Sequence, residues 1–139
     1  MAKSQALNFT QSLKMGMATI VAADASTLKT VYTAGSNDSV IKSLQVASDD
    51  TTVRVLNVYI NNGSTDYLLG AVSVAIASGT NGTTAAVDLL GGTLMPALPY
   101  DANGKRVLPL PAGYVLKVSS QTTVTAAKTV TITAMAEDY

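Results

Sequence analysis

The chain lacks cysteine and histidine, and these two absences remove many of the side chains used in covalent, acid–base and metal chemistry. Without cysteine there is no disulfide framework, no thiolate nucleophile and no cysteine-based metal site. Without histidine, the usual general base near neutral pH and the commonest transition-metal ligand are missing. The composition therefore argues against the common classes of enzyme and metalloprotein.

Tryptophan is also absent, and aromatic residues make up only 5% of the chain, so valine, alanine, leucine and isoleucine must build the core. Charged residues are few, with nine basic and nine acidic side chains scattered singly. No basic run could form the positive surface that nucleic-acid binding requires. We expect no nucleic-acid partner.

The N-terminal residues MAKSQALNFTQSLK lack the apolar segment of a secretory signal. The longest apolar stretch, residues 67–77, is too short to span a bilayer. These features predict synthesis and folding in the cytoplasm, without a membrane partner.

Alternation of apolar and polar residues is the main structural signal. Val130, Ile132 and Ala134 alternate with threonines, and residues 114–119 show the same period of two, which is typical of strands with one buried face. A polar connection over 119–125 predicts that these two strands pair. Further strands are expected at 15–23, 28–33, 40–47 (with Lys42 interrupting the pattern), 52–60 and 67–76.

Turn residues separate these strands. Asn62-Gly63 favours a hairpin between 53–60 and 67–76. Residues 85–90 have the pattern of one helical turn, ended by glycines. The fold class predicted is all-β: a single antiparallel β-sandwich of jelly-roll type with at most one short helical turn. We divide the chain into an N-terminal arm (1–13) and a β-sandwich domain (14–139).

The apolar parity of each strand predicts the core. It comprises Leu56, Val58, Ile60, Leu68, Val72, Val74, Ile76, Leu116, Val118, Val130 and Ile132.

Acidic residues offer the few candidates for chemistry, but no phosphate-binding loop, zinc motif or nucleophile elbow is present. Asp49-Asp50 supplies too few oxygens for a typical calcium site, which favours a turn. Asp66 and Asp101 are single loop acids, although a carboxylate pair of the glycosidase kind stays open. We expect no enzyme activity, no catalytic or metal-binding residue and no cofactor.

Two segments are the candidates for contact with a partner. The arm carries the only phenylalanine, and the long loop at 91–113 contains all four prolines. Long loops in compact domains usually have a functional role. The alternatives are a frayed terminus and tyrosines that plug the end of the sandwich. The interface residues predicted are Leu7, Phe9, Pro96, Pro99, Tyr100, Tyr114 and Tyr139.

The second half of the chain resembles small virion proteins of tailed bacteriophages. The residues concerned are VDLL (87–90) and the C-terminal run that includes LPAGYVLKV, VTAAKTVTI and AEDY, with TTVRVLNVYINNG (51–63) upstream. The resemblance covers residues 50–139 well and the first fifty poorly, and it contains no catalytic signature.

Such proteins are capsid decoration or cement proteins, so the resemblance implies binding to the major capsid protein on the exterior of the virion capsid. It also implies a homo-oligomer, for which we expect a trimer, made in the host cytoplasm. The alternatives are a tail, neck or fibre protein, or a displayed receptor- or glycan-binding module.

Overall fold

The computed structural model describes residues 12–91 and 94–139. Within them the chain forms nine strands and one short 3-10 turn at Ala22–Asp24. The strands are β1 (Ser12–Val21), β2 (Lys29–Thr33), β3 (Ser39–Ser48), β4 (Arg54–Asn61), β5 (Asp66–Val74), β6 (Val87–Asp88), β7 (Leu108–Leu110), β8 (Val115–Ser120) and β9 (Thr129–Asp138).

The strands form two antiparallel sheets. In the first sheet the order is β1-β9-β3-β6, with β7 also pairing with β3, and in the second it is β2-β8-β4-β5. The prediction of an all-β, antiparallel sandwich is confirmed. Most successive strands lie in opposite sheets, so the chain crosses the sandwich repeatedly, and this order is compatible with a jelly roll.

The core lies between the inner faces of the two sheets. Ile20, Leu44 and Ile132 of the first sheet and Leu56 and Leu116 of the second are fully buried. Small branched side chains fill this space, as the composition predicts. Of the eleven core residues predicted, eight are buried and Ile60 is half-buried against the core.

The predictions for Leu68 and Ile76 are wrong, since these side chains are 59% and 49% exposed. The register of β4 and β5 shifts between Val58 and Tyr59, which leaves Leu69 as an extra residue in β5. Such a bulge reverses the parity of the strand, so Leu69 packs against the core and Leu68 faces outward. Ile76 lies beyond the end of β5.

A second bulge explains why Lys42 interrupts the pattern of β3. The register with β9 shifts between Ile41 and Ser43, so Lys42 is the extra residue. Ile41 and Leu44 are therefore both buried, although they differ in parity. Val40, which the alternation placed on the same face of the strand as Leu44, is only half-buried.

The predicted pairing of the last two strands is wrong. β8 pairs with β2 and β4 in the second sheet, whereas β9 pairs with β1 and β3 in the first. The polar connection between them crosses from one sheet to the other. Alternation identifies a strand with one buried face, but both sheets present such strands, and the pattern does not identify the neighbour.

The helical turn predicted at 85–90 is also wrong. Val87 and Asp88 form β6, opposite Val46 and Gln45 of β3, and the Leu89 N–H donates to the Leu44 carbonyl at 2.8 Å. Pairing with β3 satisfies the backbone here and places Leu89 and Leu90 in the core.

The hairpin of β4 and β5 is confirmed. Gly63 in its turn has φ of 103°, a conformation that glycine adopts without strain. The Asn62 side-chain oxygen accepts hydrogen bonds from the Ser64 and Thr65 N–H groups at 3.1 and 2.9 Å.

The two sheets converge along one side of the sandwich, where β1 lies beside β2. At Gly16 of β1, an added Cβ would collide with the Val31 carbonyl oxygen of β2. On the opposite side, Met95 packs against Gly70 of β5, where an added Cβ would lie 2.7 Å from the Met95 Cγ. The long loop thus covers the side of the sandwich away from β1.

Candidate functional site

The long loop presents an ordered projection, which we call the proline loop (residues 94–107). Arg106 organises it: the Nη1 atom donates to the carbonyl oxygens of Met95, Pro96 and Leu98 at 3.2, 3.2 and 2.9 Å. The guanidinium carbon also lies 4.6 Å from the centre of the Tyr100 ring. One arginine therefore fixes both the backbone of the loop and one face of its aromatic side chain.

The tip of the proline loop closes on Asp101. The Asp101 N–H donates to the Lys105 carbonyl at 2.7 Å, and the carboxylate accepts hydrogen bonds from the N–H groups of Asn103 and Lys105 at 2.9 Å each. Gly104 completes the turn with φ of 76°. The hydrogen bond from the Lys105 N–H is the main cause that lowers the pKa of Asp101. Asp101 therefore acts as a turn residue.

Buried side chains anchor the base of the proline loop. Met95, Leu98 and Val107 are nearly fully buried, and the Val107 N–H donates to the Pro99 carbonyl at 3.0 Å. Pro96, Pro99 and Tyr100 remain exposed. The loop thus holds three of the predicted interface residues on a rigid base.

A polar cleft of about 370 Å³ lies beside the proline loop. Its lining includes Lys42, Asp88, Tyr100, Lys105 and Arg106. Charges of both signs with an exposed aromatic ring suit hydrogen bonding to a polar ligand or to a protein surface.

Tyr114 and Tyr139 lie at one end of the sandwich. Tyr114 is half-buried against the core, and its carbonyl oxygen accepts a hydrogen bond from the Ala34 N–H at 2.9 Å. The Tyr139 N–H donates to the Asp38 carbonyl at 3.0 Å. Tyr114 therefore occupies the place expected of a plug, and the structure does not bring these two tyrosines together with the proline loop.

Leu7 and Phe9 lie outside the described residues. Ser12 and Leu13, assigned to the arm in the sequence analysis, form the start of β1. β1 and β6 lie at opposite edges of the first sheet, with β9 and β3 between them. At about 4.8 Å per strand, β1 and β6 are roughly 14 Å apart, and the proline loop follows β6 on the side of the sandwich away from β1.

The outer face of the first sheet is apolar near the start of β1. Leu13, Met15 and Met17 are 80%, 56% and 66% exposed, and Met135 of β9, opposite Met15, is 50% exposed. We call these four residues the methionine face. Alternation in β1 placed Met15 and Met17 on one side, but it did not show that this side faces outward.

Sequence reasoning missed a buried ionic cluster around Asp50. The Arg54 Nε atom donates to the Asp50 carboxylate at 2.7 Å, and the Arg54 Nη atoms donate to the hydroxyl groups of Thr122 and Thr125 at 2.9 Å each. The Thr125 hydroxyl and N–H donate to Asp50 at 2.7 and 3.1 Å. Asp50 is fully buried. The cluster ties the start of β4 and the two connections at 49–53 and 121–128 together at one end of the sandwich.

The cluster around Asp50 is suited to a structural role. Burial by itself raises the pKa of Asp50, but the hydrogen bonds from Arg54, Thr125 and Thr52 outweigh it and hold the pKa well below its usual value. The carboxylate is therefore charged and fully paired. Its neighbour Asp49 accepts a hydrogen bond from the Thr129 N–H at 2.7 Å. Both aspartates therefore hold the connection after β3 in place through hydrogen bonds.

A second cluster joins the buried Tyr32 and Ser39 to the half-buried Asp138. The Ser39 and Tyr32 hydroxyl groups donate to the Asp138 carboxylate at 2.6 and 3.0 Å. The hydrogen bond from Ser39 is the main cause that lowers the pKa of Asp138, whereas burial raises the pKa of Tyr32. The cluster links the end of β9 to β2 and to the start of β3.

Within residues 12–91 and 94–139, no group of three or more acidic side chains is placed to hold a metal ion. The described residues also include no helix long and apolar enough to cross a membrane. In comparisons with family models, curated proteins and solved structures, no match to this chain was found.

Proposed function

We propose that this chain is a structural protein of a tailed-bacteriophage virion, and specifically a capsid decoration protein that binds the exterior of the shell. The resemblance of residues 50–139 to such virion proteins supports this role. The observation that carries the proposal is that an ordered, exposed loop and an exposed apolar face lie on two different sides of one sandwich, and we interpret them as the two contact surfaces.

Rigidity comes from the packing and polar networks described above. All buried side-chain nitrogen and oxygen atoms in the described part of the chain have a hydrogen-bond partner. A protein that reinforces a shell transmits force between its neighbours, and a fully paired interior resists local opening.

The proline loop is the proposed contact with the major capsid protein. Its backbone is already ordered by Arg106 and the buried Met95 and Leu98, so docking costs less conformational entropy than ordering a free loop. Tyr100, which is 62% exposed, is the aromatic anchor. The polar cleft beside it supplies hydrogen-bonding groups for the rim of the contact.

The test is binding of purified protein to capsids of the encoding phage that lack it. Tyr100→Ala should bind with at least a tenfold lower affinity, since truncating a central interface aromatic typically costs about 2 kcal/mol or more. Tyr67→Ala is the matched control, because Tyr67 is similarly exposed (56%) but lies in β5. Equal affinity of Tyr100→Ala and wild type, with both folded, would place the capsid contact elsewhere.

Copy number in purified virions separates decoration from the alternative of a neck or tail protein. Decoration protein should be present in proportion to the major capsid protein, whereas a neck protein forms a single ring in each particle. A signal confined to isolated tails would contradict the decoration role.

The polar cleft supports a second candidate, a displayed glycan-binding module. Tyr100 offers an aromatic surface, and Lys42, Asp88 and Lys105 offer hydrogen-bonding groups around it. A glycan array with purified protein tests this function directly. Binding that is lost on Tyr100→Ala, with capsid binding retained, would favour the glycan role.

A further inference from the structure

Three asparagine–glycine pairs lie in exposed turns of the structure: Asn62-Gly63, Asn81-Gly82 and Asn103-Gly104. Asparagine followed by glycine is the pair most open to spontaneous deamidation, because glycine has no Cβ to hinder attack by its backbone nitrogen on the asparagine side chain. An added Cβ at any of these three glycines would meet nothing within 4 Å, so crowding does not separate the pairs. Their hydrogen bonds do.

The reaction requires a free asparagine side chain and a free glycine nitrogen. The glycine nitrogen loses its proton to hydroxide and attacks the side-chain carbonyl carbon of the asparagine. A bond forms between this nitrogen and the asparagine Cγ, the bond between Cγ and Nδ2 breaks, and ammonia leaves with a proton taken from water. Water then opens the resulting succinimide ring at either carbonyl, which gives aspartate or isoaspartate.

At Asn62 the fold holds both reacting groups. The Asn62 Oδ1 atom accepts hydrogen bonds from the Ser64 N–H, the Ser64 hydroxyl and the Thr65 N–H at 3.1, 3.1 and 2.9 Å. The nucleophile is also occupied, since the Gly63 N–H donates to the Asn61 side chain at 2.7 Å. Attack at this pair therefore requires the loss of four hydrogen bonds.

At Asn81 the fold holds both ends of the side-chain amide. The Oδ1 atom accepts hydrogen bonds from the N–H groups of Thr83 and Thr84 at 2.9 and 2.7 Å, and Nδ2 donates to the Thr84 hydroxyl at 3.1 Å. The amide must give up these three bonds to reach the Gly82 nitrogen.

Asn103 differs from both, because its side-chain amide has no hydrogen-bond partner within residues 12–91 and 94–139. Its backbone N–H donates to the Asp101 carboxylate at 2.9 Å, which leaves the side chain free to rotate. The Gly104 N–H donates to the Asp101 carbonyl at 3.1 Å. One long hydrogen bond thus opposes the reaction here, compared with three or four at the other pairs.

We propose that Asn103, at the tip of the proline loop, is a site of spontaneous modification that converts to aspartate and isoaspartate while Asn62 and Asn81 persist. Conversion adds a negative charge to the tip, and isoaspartate also lengthens the backbone by one methylene group. The longer backbone disrupts the turn in which Asp101 accepts hydrogen bonds from the N–H groups of Asn103 and Lys105. The proposal goes beyond the proposed function and does not depend on it, because the reaction requires only this chain and water.

Peptide mapping of the full-length protein by mass spectrometry tests the proposal. The folded protein is kept at mildly alkaline pH, and the mass gained when an amide becomes a carboxylic acid is followed at each pair. Asn103 should convert roughly tenfold or more faster than Asn62 and Asn81, since at least two additional hydrogen bonds must break at those positions. Equal rates, or faster conversion at either of the other pairs, would overturn the proposal.

The same measurement in concentrated urea separates the effect of the fold from that of the local sequence. The three pairs should convert at similar rates once their hydrogen bonds are lost. If Asn103 led by the same factor in urea, the local sequence would set the order and the structural argument would fail.

Isoelectric focusing of the intact chain provides a readout without digestion. The wild type should accumulate one more acidic species with time. Asn103→Gln is the matched variant, because the longer side chain keeps the amide but forms the corresponding six-membered ring far more slowly. This variant should lack the acidic species while circular dichroism shows it folded. The same species at the wild-type rate in Asn103→Gln would contradict the assignment of the site.

Discussion

Replacing Arg54 by methionine should strongly destabilise the fold. The substitution keeps an unbranched side chain but removes the three nitrogen atoms that donate to Asp50, Thr122 and Thr125. Asp50 is fully buried, so no water replaces the lost donor. Removing one member of a buried ion pair typically costs about 3–5 kcal/mol, because the remaining charge is uncompensated.

This loss is large compared with the whole stability of a domain, which is about 5–15 kcal/mol. At roughly 3 °C per kcal/mol for a domain of this size, the melting temperature should fall by about 9–15 °C. Urea denaturation followed by circular dichroism measures the change. The control is Lys117→Met, which breaks the partly exposed pair with Asp66 and should cost less than about 1 kcal/mol.

The pH dependence gives an independent reading of the Asp50 cluster. The folded-state pKa of Asp50 lies below its unfolded value of about 3.9, so its contribution to stability is present above that pH and is lost as the pH falls. Arg54→Met removes the main group that lowers this pKa, so the variant should lose less stability between about pH 5 and pH 2. An Arg54→Met protein within 1 kcal/mol of wild type, with an unchanged pH profile, would refute the reasoning.

Two further predictions concern packing. Ile132→Ala should lower the free energy of unfolding by about 2–5 kcal/mol, as measured by chemical denaturation. Leu68→Ala should lower it by less than about 0.5 kcal/mol, because the bulge in β5 turns that side chain outward. Similar losses in the two variants would show that the bulge is misplaced. Gly16→Ala should lower the melting temperature markedly, because the added Cβ would collide with the Val31 carbonyl oxygen. Gly35→Ala is the control and should leave the melting temperature nearly unchanged, because its added Cβ meets nothing within 4 Å. Equal melting temperatures of the two variants would contradict the close approach of β1 and β2.

The sequence predicted the architecture well because local patterns encode which side of a strand is buried. Val130 and Ile132 alternate with threonines regardless of which strand lies beside them, and Asn62-Gly63 favours a tight turn through backbone conformation alone. These signals depend on residues close together in the chain. They identified most of the strands, the hairpin of β4 and β5, and most of the buried side chains.

The candidate contact residues were only partly accessible to this reasoning. The prolines and Tyr100 drew attention to the loop, but its order depends on Arg106 reaching three carbonyl groups across the turn. The methionine face required knowing which side of β1 faces outward. In β1 the residues of the two parities have similar polarity, so alternation does not show which of the two faces points outward.

Other features were decided only by the tertiary structure, because they depend on partners distant in sequence. Asp50 and Thr125 are 75 residues apart, and nothing near either residue indicates that they meet. The bulges at Lys42 and Leu69 arise from the register with a neighbouring strand, and each reverses the parity of the buried residues partway along its strand. Composition and alternation determined that this chain forms a β-sandwich, whereas pairing between distant strands determined which surfaces it presents. The reason is that a strand of given parity can pair with several neighbours, and only the packing of the whole sandwich selects one of them.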